Sequence, residues 1–324
     1  MRKMNATVQK RGPARKQQAV PLEDSSNSIS IEGRQVPVSH LQKVFYPKIG
    51  FTKAQVIDYY LRIAPVLLPH LKDRPVTLKR YPNGVEGPFF YEKRCPAYRP
   101  EWVDIARVRR KQSEEEINFC VINNLASLVW AANLADLELH TSLARKQHIE
   151  CPTMVVFDLD PGAPAGIIQC AEVALRLRAI LERLKLKSFA KTSGSKGLQV
   201  HVPLNTNTNF GATKAFARKL AESLAGENPA RVVSAMAKNL RKGKVLVDWS
   251  QNDTHKTTIC VYSLRAREQP TVSTPVTWDE VEIASKDKDA EYLSFLPDQV
   301  LNRVAEFGDL FAPVLKLKQK LPAI

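Results

Sequence analysis

Short apolar runs bounded by polar turns alternate along this chain with longer segments whose apolar residues recur every three to four positions. The first pattern predicts β-strands and the second predicts amphipathic helices. Because strands and helices mix without strict alternation, the pattern favours an α+β fold over a doubly wound sheet. The predicted strands are 75–79, 88–92, 102–105, 117–122, 154–160, 188–192, 197–203, 245–249 and 257–262.

The helix predictions rest on apolar periodicity and, at one helix, on a start signal. Thr52 and Gln55 have the spacing of a capping box, and an apolar stripe containing Val56 and Ile63 follows them. A hairpin is predicted around Gly33, where ordered structure is expected to begin. The further predicted helices are 125–139, 171–185, 212–225 and 298–309.

The chain divides by composition into a tail and a body. Residues 1–28 are rich in Lys, Arg, Gln, Ser and Asn without apolar periodicity, which predicts a basic disordered tail. Residues 29–324 are long enough to bury a sizeable core. No segment approaches the length of a membrane span, and no apolar core follows the basic N-terminus. We therefore expect a cytoplasmic protein without a membrane partner.

Charge narrows the class of partner. The chain has 48 Lys and Arg against 33 Asp and Glu, a net charge of +15, and only part of this excess lies in the tail. A basic body is typical of a protein that binds a polyanion, most often nucleic acid. The alternative is a ribosome-associated or merely basic protein.

The cysteines indicate no disulfide framework and no structural zinc site, because they are odd in number and form no Cys-x-x-Cys pair. We expect them to be reduced thiols. They are Cys95, Cys120, Cys151, Cys170 and Cys260.

Two aspartates one residue apart end the apolar strand Met-Val-Val-Phe-Asp-Leu-Asp. Asp158 and Asp160 share one face of this strand because successive side chains alternate between faces. Two like charges roughly 6–7 Å apart are costly there unless a cation lies between them. A pair of divalent metals is one solution, and such sites serve phosphoryl and nucleotidyl transfer. The alternative is a strand-end pair that caps a loop or the next helix.

A second candidate site is the turn Lys-Thr-Ser-Gly-Ser-Lys-Gly at 191–197, between two predicted strands. Its glycines allow backbone amides to converge on an anion, and Lys196 adds a charge. The Walker spacing is absent, so a basic hairpin turn is the alternative to a phosphate site. Gln199 and His201 share one face of the following strand, so one or both could point toward whatever the turn binds.

A third carboxylate, Asp248, ends another apolar strand and is followed by Gln251 and Asn252. Beside the first aspartate pair it would complete the ligand set of two divalent ions, whereas alone a turn with Asn252 is the favoured interpretation. Downstream, Arg265 and Arg267 lie on one face of an extended segment and suit phosphate or ribose contacts.

Adjacent aromatic residues flanked by Lys and Arg distinguish the segment 78–93. This mix is typical of surfaces that stack bases and contact phosphates, although aromatics in core strands are as common. Strand alternation predicts that one of Phe89 and Phe90 is buried and that the other is free to stack.

Taken in this order, the segments resemble the polymerase domain of the end-joining ligase D of bacteria and archaea, in the archaeo-eukaryotic primase superfamily. The resemblance runs from about Val38 to Asp279. It implies a primase-polymerase fold over 29–324, in which central mixed and antiparallel sheets are flanked by helices and two packed lobes form one catalytic unit. The motifs that carry it are Phe-Asp-Leu-Asp-Pro, Thr-Ser-Gly-Ser-Lys-Gly, Val-Asp-Trp-Ser-Gln-Asn, Tyr-Ser-Leu-Arg-Ala-Arg and Thr-Trp-Asp-Glu.

The resemblance also implies roles for single residues. The positions matching ligands of two divalent ions, preferably Mn²⁺ with Mg²⁺ as the alternative, are Asp158, Asp160 and Asp248. The positions matching the nucleotide site are His140, Ser193, Lys196, Arg241, Gln251 and Arg265. Those matching the grip on a downstream 5′-phosphate are Lys43 and Lys53, and those matching template-stacking aromatics are Phe89 and Phe90.

Two positions depart from the family pattern. Relatives usually have Gly-Leu-His-Val where this chain has Gly-Leu-Gln-Val with Gln199, so His201 is the candidate substitute for that histidine. At the 5′-phosphate site the family often has Asn where this chain has His40. Histidine also donates a hydrogen bond, so we expect phosphate binding to persist and to become sensitive to pH.

The implied function is a DNA-templated nucleotidyltransferase for end joining and repair that prefers ribonucleotides and recognises short gaps or broken ends with a 5′-phosphate. In the implied two-metal mechanism, a primer 3′-hydroxyl attacks the α-phosphorus of a nucleoside triphosphate and pyrophosphate leaves. The alternatives are a primer-independent primase-polymerase and a non-catalytic module that binds DNA ends.

The implied partners are DNA and nucleoside triphosphates, with Ku and a separate DNA ligase as candidates, and the implied location is the nucleoid. No Lys-x-Asp-Gly adenylation motif occurs in the chain. We therefore expect a stand-alone polymerase whose products another enzyme seals.

Overall fold

The computed structural model describes residues 27–109 and 115–322, which form two six-stranded sheets with helices packed around them. The first eight strands are β1 (Asn27–Ile31), β2 (Arg34–Val38), β3 (Val44–Tyr46), β4 (Phe51–Thr52), β5 (Val76–Arg80), β6 (Phe90–Glu92), β7 (Asp104–Arg109) and β8 (Glu116–Val121). The later strands are β9 (Asp136–Thr141), β10 (Met154–Pro161), β11 (Phe189–Thr192), β12 (Leu198–Pro203), β13 (Val232–Val233), β14 (Val245–Asp248), β15 (Thr258–Ile259) and β16 (Pro275–Val276). The helices are α1 (Lys53–Leu71), α2 (Leu125–Asn133), α3 (Ile167–Arg183), α4 (Phe210–Glu227), α5 (Trp278–Asp287), α6 (Pro297–Phe307) and α7 (Ala312–Lys316).

The first sheet has the strand order β13-β14-β10-β12-β11-β16 and is antiparallel except for the parallel pair β13–β14. The second sheet has the order β15-β9-β5-β8-β7, with β6 paired to the far end of β5. The hairpins β1–β2 and β3–β4 stand apart from both. This arrangement confirms the predicted α+β class with mixed and antiparallel sheets.

The core of the first sheet explains where the aspartate strand places its side chains. Val155, Phe157 and Leu159 of β10 are fully buried on the face against which α3 and α4 pack. The alternate positions, which include Asp158, therefore face away from these helices. The face toward the helices is apolar, whereas the other face is buried at Met154 and Val156 and carries the two carboxylates at the end of the strand.

Buried tyrosines anchor helix α1 to the second sheet and to the segment that follows β15. The Tyr59 hydroxyl donates to the Tyr262 carbonyl at 2.8 Å, and the Tyr60 hydroxyl donates to the Leu137 carbonyl at 2.8 Å. The predicted capping box at Thr52 is present, and the predicted hairpin turns at Gly33 with φ of 76°. Among the described residues, no helix combines the length and apolar character needed to cross a bilayer.

Two element predictions need correction, and two helices were not predicted. The helix predicted over 125–139 ends at Asn133, because Ala135 adopts a positive φ of 63° and the chain enters β9, a buried inner strand. Helices α5 and α7 were not predicted, although α5 begins with a capping box at Thr277. Most of the predicted tail, residues 1–26, lies outside the described residues, but Asn27 and Ser28 belong to β1.

The expectation of reduced thiols is wrong for one pair. Cys95 and Cys120 form a disulfide bond. Cys95 follows β6 while Cys120 lies in β8, and the Cys95 amide donates to the Asn118 carbonyl at 2.6 Å. Pairing of both strands with β5 brings together two cysteines that are 25 positions apart. The other three cysteines are free, as predicted, and lie at positions 151, 170 and 260.

Candidate functional site: a cationic cleft between two sheets

A cleft of about 640 Å³ opens between the two sheets. One wall carries Asp158 and Gln199 from the first sheet, and the other carries Thr77, His140 and Thr258 from the second. Among residues 27–109 and 115–322, Asp158 and Asp160 are the carboxylates that line it. The lysines and arginines that line it are Lys93, Lys196, Arg241, Lys256, Arg265 and Arg267. A cleft with six cations and two carboxylates suits a polyanion that arrives with metal ions.

A row of polar side chains crosses the first sheet at the level of Asp158. Strand pairing places Asp248 of β14 directly opposite Asp158 on one side. On the other side Gln199 of β12 lies opposite Asp158, and Lys191 of β11 lies opposite Gln199. Residues opposite one another in antiparallel strands share a face, so all four project to the same side of the sheet. The sheet thereby places Asp248 of β14 beside Asp158, and Asp160 lies on the same face two residues further along β10.

The carboxylates of Asp158, Asp160 and Asp248 repel one another in a partly dry environment. Burial raises the pKa of Asp158 to about 7, and the charges of Asp160 and Asp248 add to this effect. Desolvation and Asp248 likewise raise the pKa of Asp160, while Arg241 opposes them. A bound cation would relieve this repulsion.

Hydrogen bonds fix the orientation of Asp248. Its Oδ1 accepts from the Ser250 amide at 2.8 Å, and its Oδ2 accepts from Gln251 Nε2 at 3.0 Å. Asp248 therefore forms a turn while also facing Asp158, but its partners are Ser250 and Gln251 and not the predicted Asn252, whose side chain bonds the Val156 backbone. Within the described part of the chain, no three His, Cys, Asp or Glu side chains are already gathered as metal ligands. Three carboxylates on one face nevertheless fit the preference of hard divalent cations for oxygen ligands.

The 191–197 turn uses its amides differently from the prediction. Ser193 Oγ accepts from the Ser195 amide at 3.2 Å and from the Gly197 amide at 3.1 Å, so these donors close the turn and are not directed at an anion. The anion contacts that this turn offers are side chains, with Lys196 lining the cleft. Arg265 Nη1 donates to the Ser193 carbonyl at 2.6 Å and ties the turn to the second sheet.

The remaining predicted nucleotide residues also reach the cleft. Arg241 lines it and donates through Nη2 to the Met236 carbonyl at 2.6 Å, while Gln251 lines it next to Asp248. His140 reaches it from β9.

His201 is placed elsewhere, which corrects the expectation that it could substitute for the family histidine. It is buried in a small internal cavity with Met154 and Phe311 and does not line the cleft. His201 shares a strand face with Gln199, but two positions along β12 carry it about 7 Å deeper between the sheets. Gln199 remains at the cleft, where its Nε2 donates to Thr258 Oγ1 at 2.9 Å. Burial, first of all, holds the pKa of His201 well below its ordinary value.

The prediction that one of Phe89 and Phe90 is buried is wrong, because both are exposed, at 51% and 44%. Phe89 precedes β6, a three-residue strand that pairs with the end of β5. Lys79 Nζ lies 4.4 Å from the Phe89 ring centre, and Arg80 packs on Phe90. The neighbouring Tyr91 reaches the cleft itself.

A separate basic pair lies at the β3–β4 hairpin. Pairing of these strands places Lys43 beside Lys53, and the Lys43 amide donates to the His40 carbonyl at 2.9 Å. Lys53 is buried, with 4% of its surface exposed, whereas Lys43 and His40 are exposed. Burial, followed by the charges of Lys43 and Arg80, lowers the pKa of Lys53 to about 8. The structure thus groups the three residues predicted to bind a 5′-phosphate, and they do not line the cleft.

Sequence reasoning missed several residues of this region. Glu138 contacts both His140 and Arg265, and nothing in its local sequence distinguishes it from a surface glutamate. Tyr91 follows the aromatic pair directly, so the run of three aromatics was an available signal. Lys256 was also missed and lines the cleft, whereas Arg267, which lines it as well, had been singled out with Arg265.

Comparison with known proteins gives a consistent result. Residues 52–311 match the family model described as the LigD primase-polymerase domain. The chain is 42% identical over 281 residues to the multifunctional non-homologous end joining protein LigD of Mycolicibacterium smegmatis, covering 86% of this chain and 36% of that protein. It is 30% identical over 283 residues to the bifunctional LigD of Bacillus subtilis, covering 87% of this chain and 44% of that protein. The chain therefore spans less than half the length of these relatives.

A solved structure is also similar. The polymerase domain of ligase D from Mycobacterium tuberculosis, determined in complex with DNA, superimposes with a TM-score of 0.79. The two chains are 38% identical, and the match covers 87% of this chain and 98% of that one.

Proposed function

This chain belongs to the LigD primase-polymerase domain family, and from that premise we propose that it is a DNA-templated nucleotidyltransferase that fills short gaps or extends broken ends with a 5′-phosphate. The observation that carries the proposal is the group formed by Asp158, Asp160 and Asp248 on one face of the first sheet, beside a cleft lined by six lysines and arginines. This arrangement fits a substrate that combines a polyanion with divalent cations.

The residues of the cleft have distinct roles in this proposal. Asp158, Asp160 and Asp248 would hold two divalent ions, Mn²⁺ or Mg²⁺, which when bound supply Lewis-acid activation of the hydroxyl and neutralise phosphate charge. Asp248 is pre-oriented for this by Ser250 and Gln251. The residues that would bind the triphosphate of the incoming nucleotide are His140, Lys196, Arg241 and Arg265, all of which line the cleft. Ser193 would act through its side-chain hydroxyl, which closes the turn that carries Lys196.

The test is extension on a one-nucleotide gap, with and without a 5′-phosphate, comparing ribonucleotides with deoxyribonucleotides in Mn²⁺ and in Mg²⁺. We expect templated addition of one nucleotide, faster with a 5′-phosphate, with ribonucleotides and with Mn²⁺. Dinucleotide synthesis without a primer would instead support a primase. Binding of DNA ends without any addition would support a non-catalytic end-binding module.

The proposed biological process is the joining of broken DNA ends. The relatives are non-homologous end joining proteins, and the similar solved structure is a complex with DNA. We propose that this chain acts on broken DNA at the nucleoid, with Ku as the candidate end-binding partner and a ligase activity sealing the product.

The preference for a 5′-phosphate is expected to depend on Lys53 and on pH. Lys53 is a buried cation with a pKa near 8, so the charge that attracts phosphate is full below pH 7 and is lost as the pH rises through 8. We therefore predict that the rate advantage of a 5′-phosphorylated gap over a 5′-hydroxyl gap shrinks between pH 7 and pH 9. Replacing both Lys43 and Lys53 with alanine should remove most of this advantage at pH 7 and make binding less sensitive to salt.

The control is Lys219→Ala, which removes an exposed lysine of α4. This variant should keep the 5′-phosphate preference and its pH dependence. A preference that is unchanged in the double lysine variant would contradict the assignment of the hairpin to the 5′-phosphate.

A further inference from the structure

One buried charge lies next to the cleft without a place in the proposal above. Glu138 of β9 is 2% exposed and stands two residues before His140, on the same strand face. A buried carboxylate is costly unless it is paired and hydrogen-bonded. Its partners therefore indicate what it does.

Each oxygen of Glu138 contacts one proposed triphosphate residue and one further group. Oε2 lies 3.1 Å from His140 Nε2 and 3.3 Å from Lys79 Nζ. Oε1 lies 3.3 Å from Arg265 Nε and accepts a hydrogen bond from the Ala266 amide at 3.0 Å. Burial opposes ionisation, but the His140 hydrogen bond and the charge of Arg265 hold the pKa of Glu138 below its ordinary value. The carboxylate is thus an anion shared by three basic side chains.

The contact with Arg265 links the two walls of the cleft. Arg265 touches Glu138 through Nε on the second-sheet side and donates through Nη1 to the Ser193 carbonyl on the first-sheet side. Its guanidinium is therefore held from two directions. An arginine without such anchoring would lose side-chain entropy on binding a phosphate, and pre-organisation reduces that cost.

The contact with Lys79 extends the same network to the aromatic edge of the cleft. Lys79 Nζ lies 4.4 Å from the Phe89 ring centre and 5.5 Å from that of Tyr91. The Tyr91 ring in turn makes an edge contact with His140, with centres 6.0 Å apart. Glu138 thus neutralises a cation that would otherwise lie close to the two triphosphate residues.

We propose that Glu138 is a positioning residue that orients Arg265 and His140 toward the triphosphate of the incoming nucleotide. The inference rests on the proposed function of the cleft and adds a residue that touches no substrate. It predicts a defect in nucleotide binding and not in the chemical step, because the carboxylate row lies on the other sheet.

The test is Glu138→Gln, which keeps the shape of the side chain and removes its charge. The KM for the templated ribonucleotide is expected to rise about ten- to one-hundred-fold, with kcat changed less than about threefold and the KM for gapped DNA unchanged. Affinity for inorganic tripolyphosphate, measured by calorimetry without metal or DNA, should fall in parallel.

Glu280→Gln is the matched control. Glu280 forms a comparable pair with Arg303, at 2.6 and 2.9 Å, and does not line the cleft. It should leave both nucleotide KM and tripolyphosphate affinity unchanged. If Glu138→Gln fails to fold, the double variant with Lys79→Met removes the surplus buried cation, and the same rise in KM is expected there.

A nucleotide KM within twofold of the wild-type value would overturn the inference, as would an equal rise in Glu280→Gln. Absence of primer extension by the wild-type protein would instead refute the proposed polymerase function. In that event the tripolyphosphate measurement would still decide whether Glu138 orients an anion site.

Discussion

Replacing Asp158 with asparagine is expected to abolish templated addition, by about 1,000-fold or more, while raising the thermal stability of the metal-free protein. Loss of one carboxylate from the proposed ligand set removes several kcal/mol of charge stabilisation from the reaction. The same substitution removes a repulsive charge, because Asp158 is desolvated and faces Asp160 and Asp248. Function and stability should therefore change in opposite directions.

The pH dependence of the stability gain follows from the pKa of Asp158. Its folded-state pKa of about 7 exceeds the ordinary value of 3.8, so the folded protein binds the proton more tightly and loses stability as the pH rises between these values. The gain from Asp158→Asn should thus be absent near pH 4 and complete above pH 7. A gain of about 1–2 kcal/mol corresponds to a rise in melting temperature of roughly 2–8 °C in a chelating buffer.

Asp298→Asn is the control for this experiment, because Asp298 is an exposed carboxylate at the start of α6 with 89% of its side chain accessible. It should change neither extension nor stability. Wild-type extension by Asp158→Asn would exclude the carboxylate row as the catalytic centre. If Asp158→Asn melted at a lower temperature than the wild type at pH 8, repulsion between the three aspartates would not be what destabilises the metal-free protein.

Replacing Gly197 with alanine is expected to lower extension at least about 100-fold without unfolding the protein. A Cβ at this position would lie 2.2 Å from the Leu159 carbonyl oxygen, which real Cβ contacts do not allow. Leu159 stands between Asp158 and Asp160, so relief of the clash must move the turn that carries Lys196 or the strand that carries the aspartates. A displacement of about 1 Å can cost 100-fold in rate, whereas the strain costs about 1–3 kcal/mol of stability.

Gly226→Ala is the matched control, because Gly226 lies near the end of α4 with no heavy atom within 4 Å of an added Cβ. That variant should be as active as the wild type and slightly more stable. The test compares primer-extension rates and melting curves of both variants, with the rates measured at a temperature at which both variants are folded. Undiminished extension by Gly197→Ala would show that the strand and turn need no fixed separation.

Much of the fold could be predicted from the sequence because helix caps, turns and strand patterns are local signals. The capping box at Thr52, the hairpin at Gly33 and the strand ending in Asp160 were all confirmed. The helix predicted through residue 139 was wrong beyond Asn133, because the chain turns at Ala135 with a positive φ and continues as β9, where the alternation of Leu137 and Leu139 with polar residues was an overlooked strand signal. The bond between Cys95 and Cys120 was missed because it depends on pairing between distant segments.

The candidate site was likewise partly predictable from the sequence. Alternation along β10 and the family motifs placed Asp158, Lys196 and Arg265 together in expectation, and the structure brings them to one cleft. Sequence periodicity also gave His201 the same strand face as Gln199, but the cover of the second sheet buries His201 below the cleft.

The sequence by itself determined which residues share a strand face, where α1 begins and which motifs the chain has in common with its family. Only the tertiary structure decided how deeply each side chain is buried and which groups it contacts. It shows that Gln199 and not His201 reaches the cleft, and that both Phe89 and Phe90 are exposed. Only the tertiary structure likewise showed that Glu138 contacts Arg265. The physical reason is that periodicity reports the direction of a side chain relative to its own backbone. Burial and pairing instead depend on which distant strand or sheet packs against it.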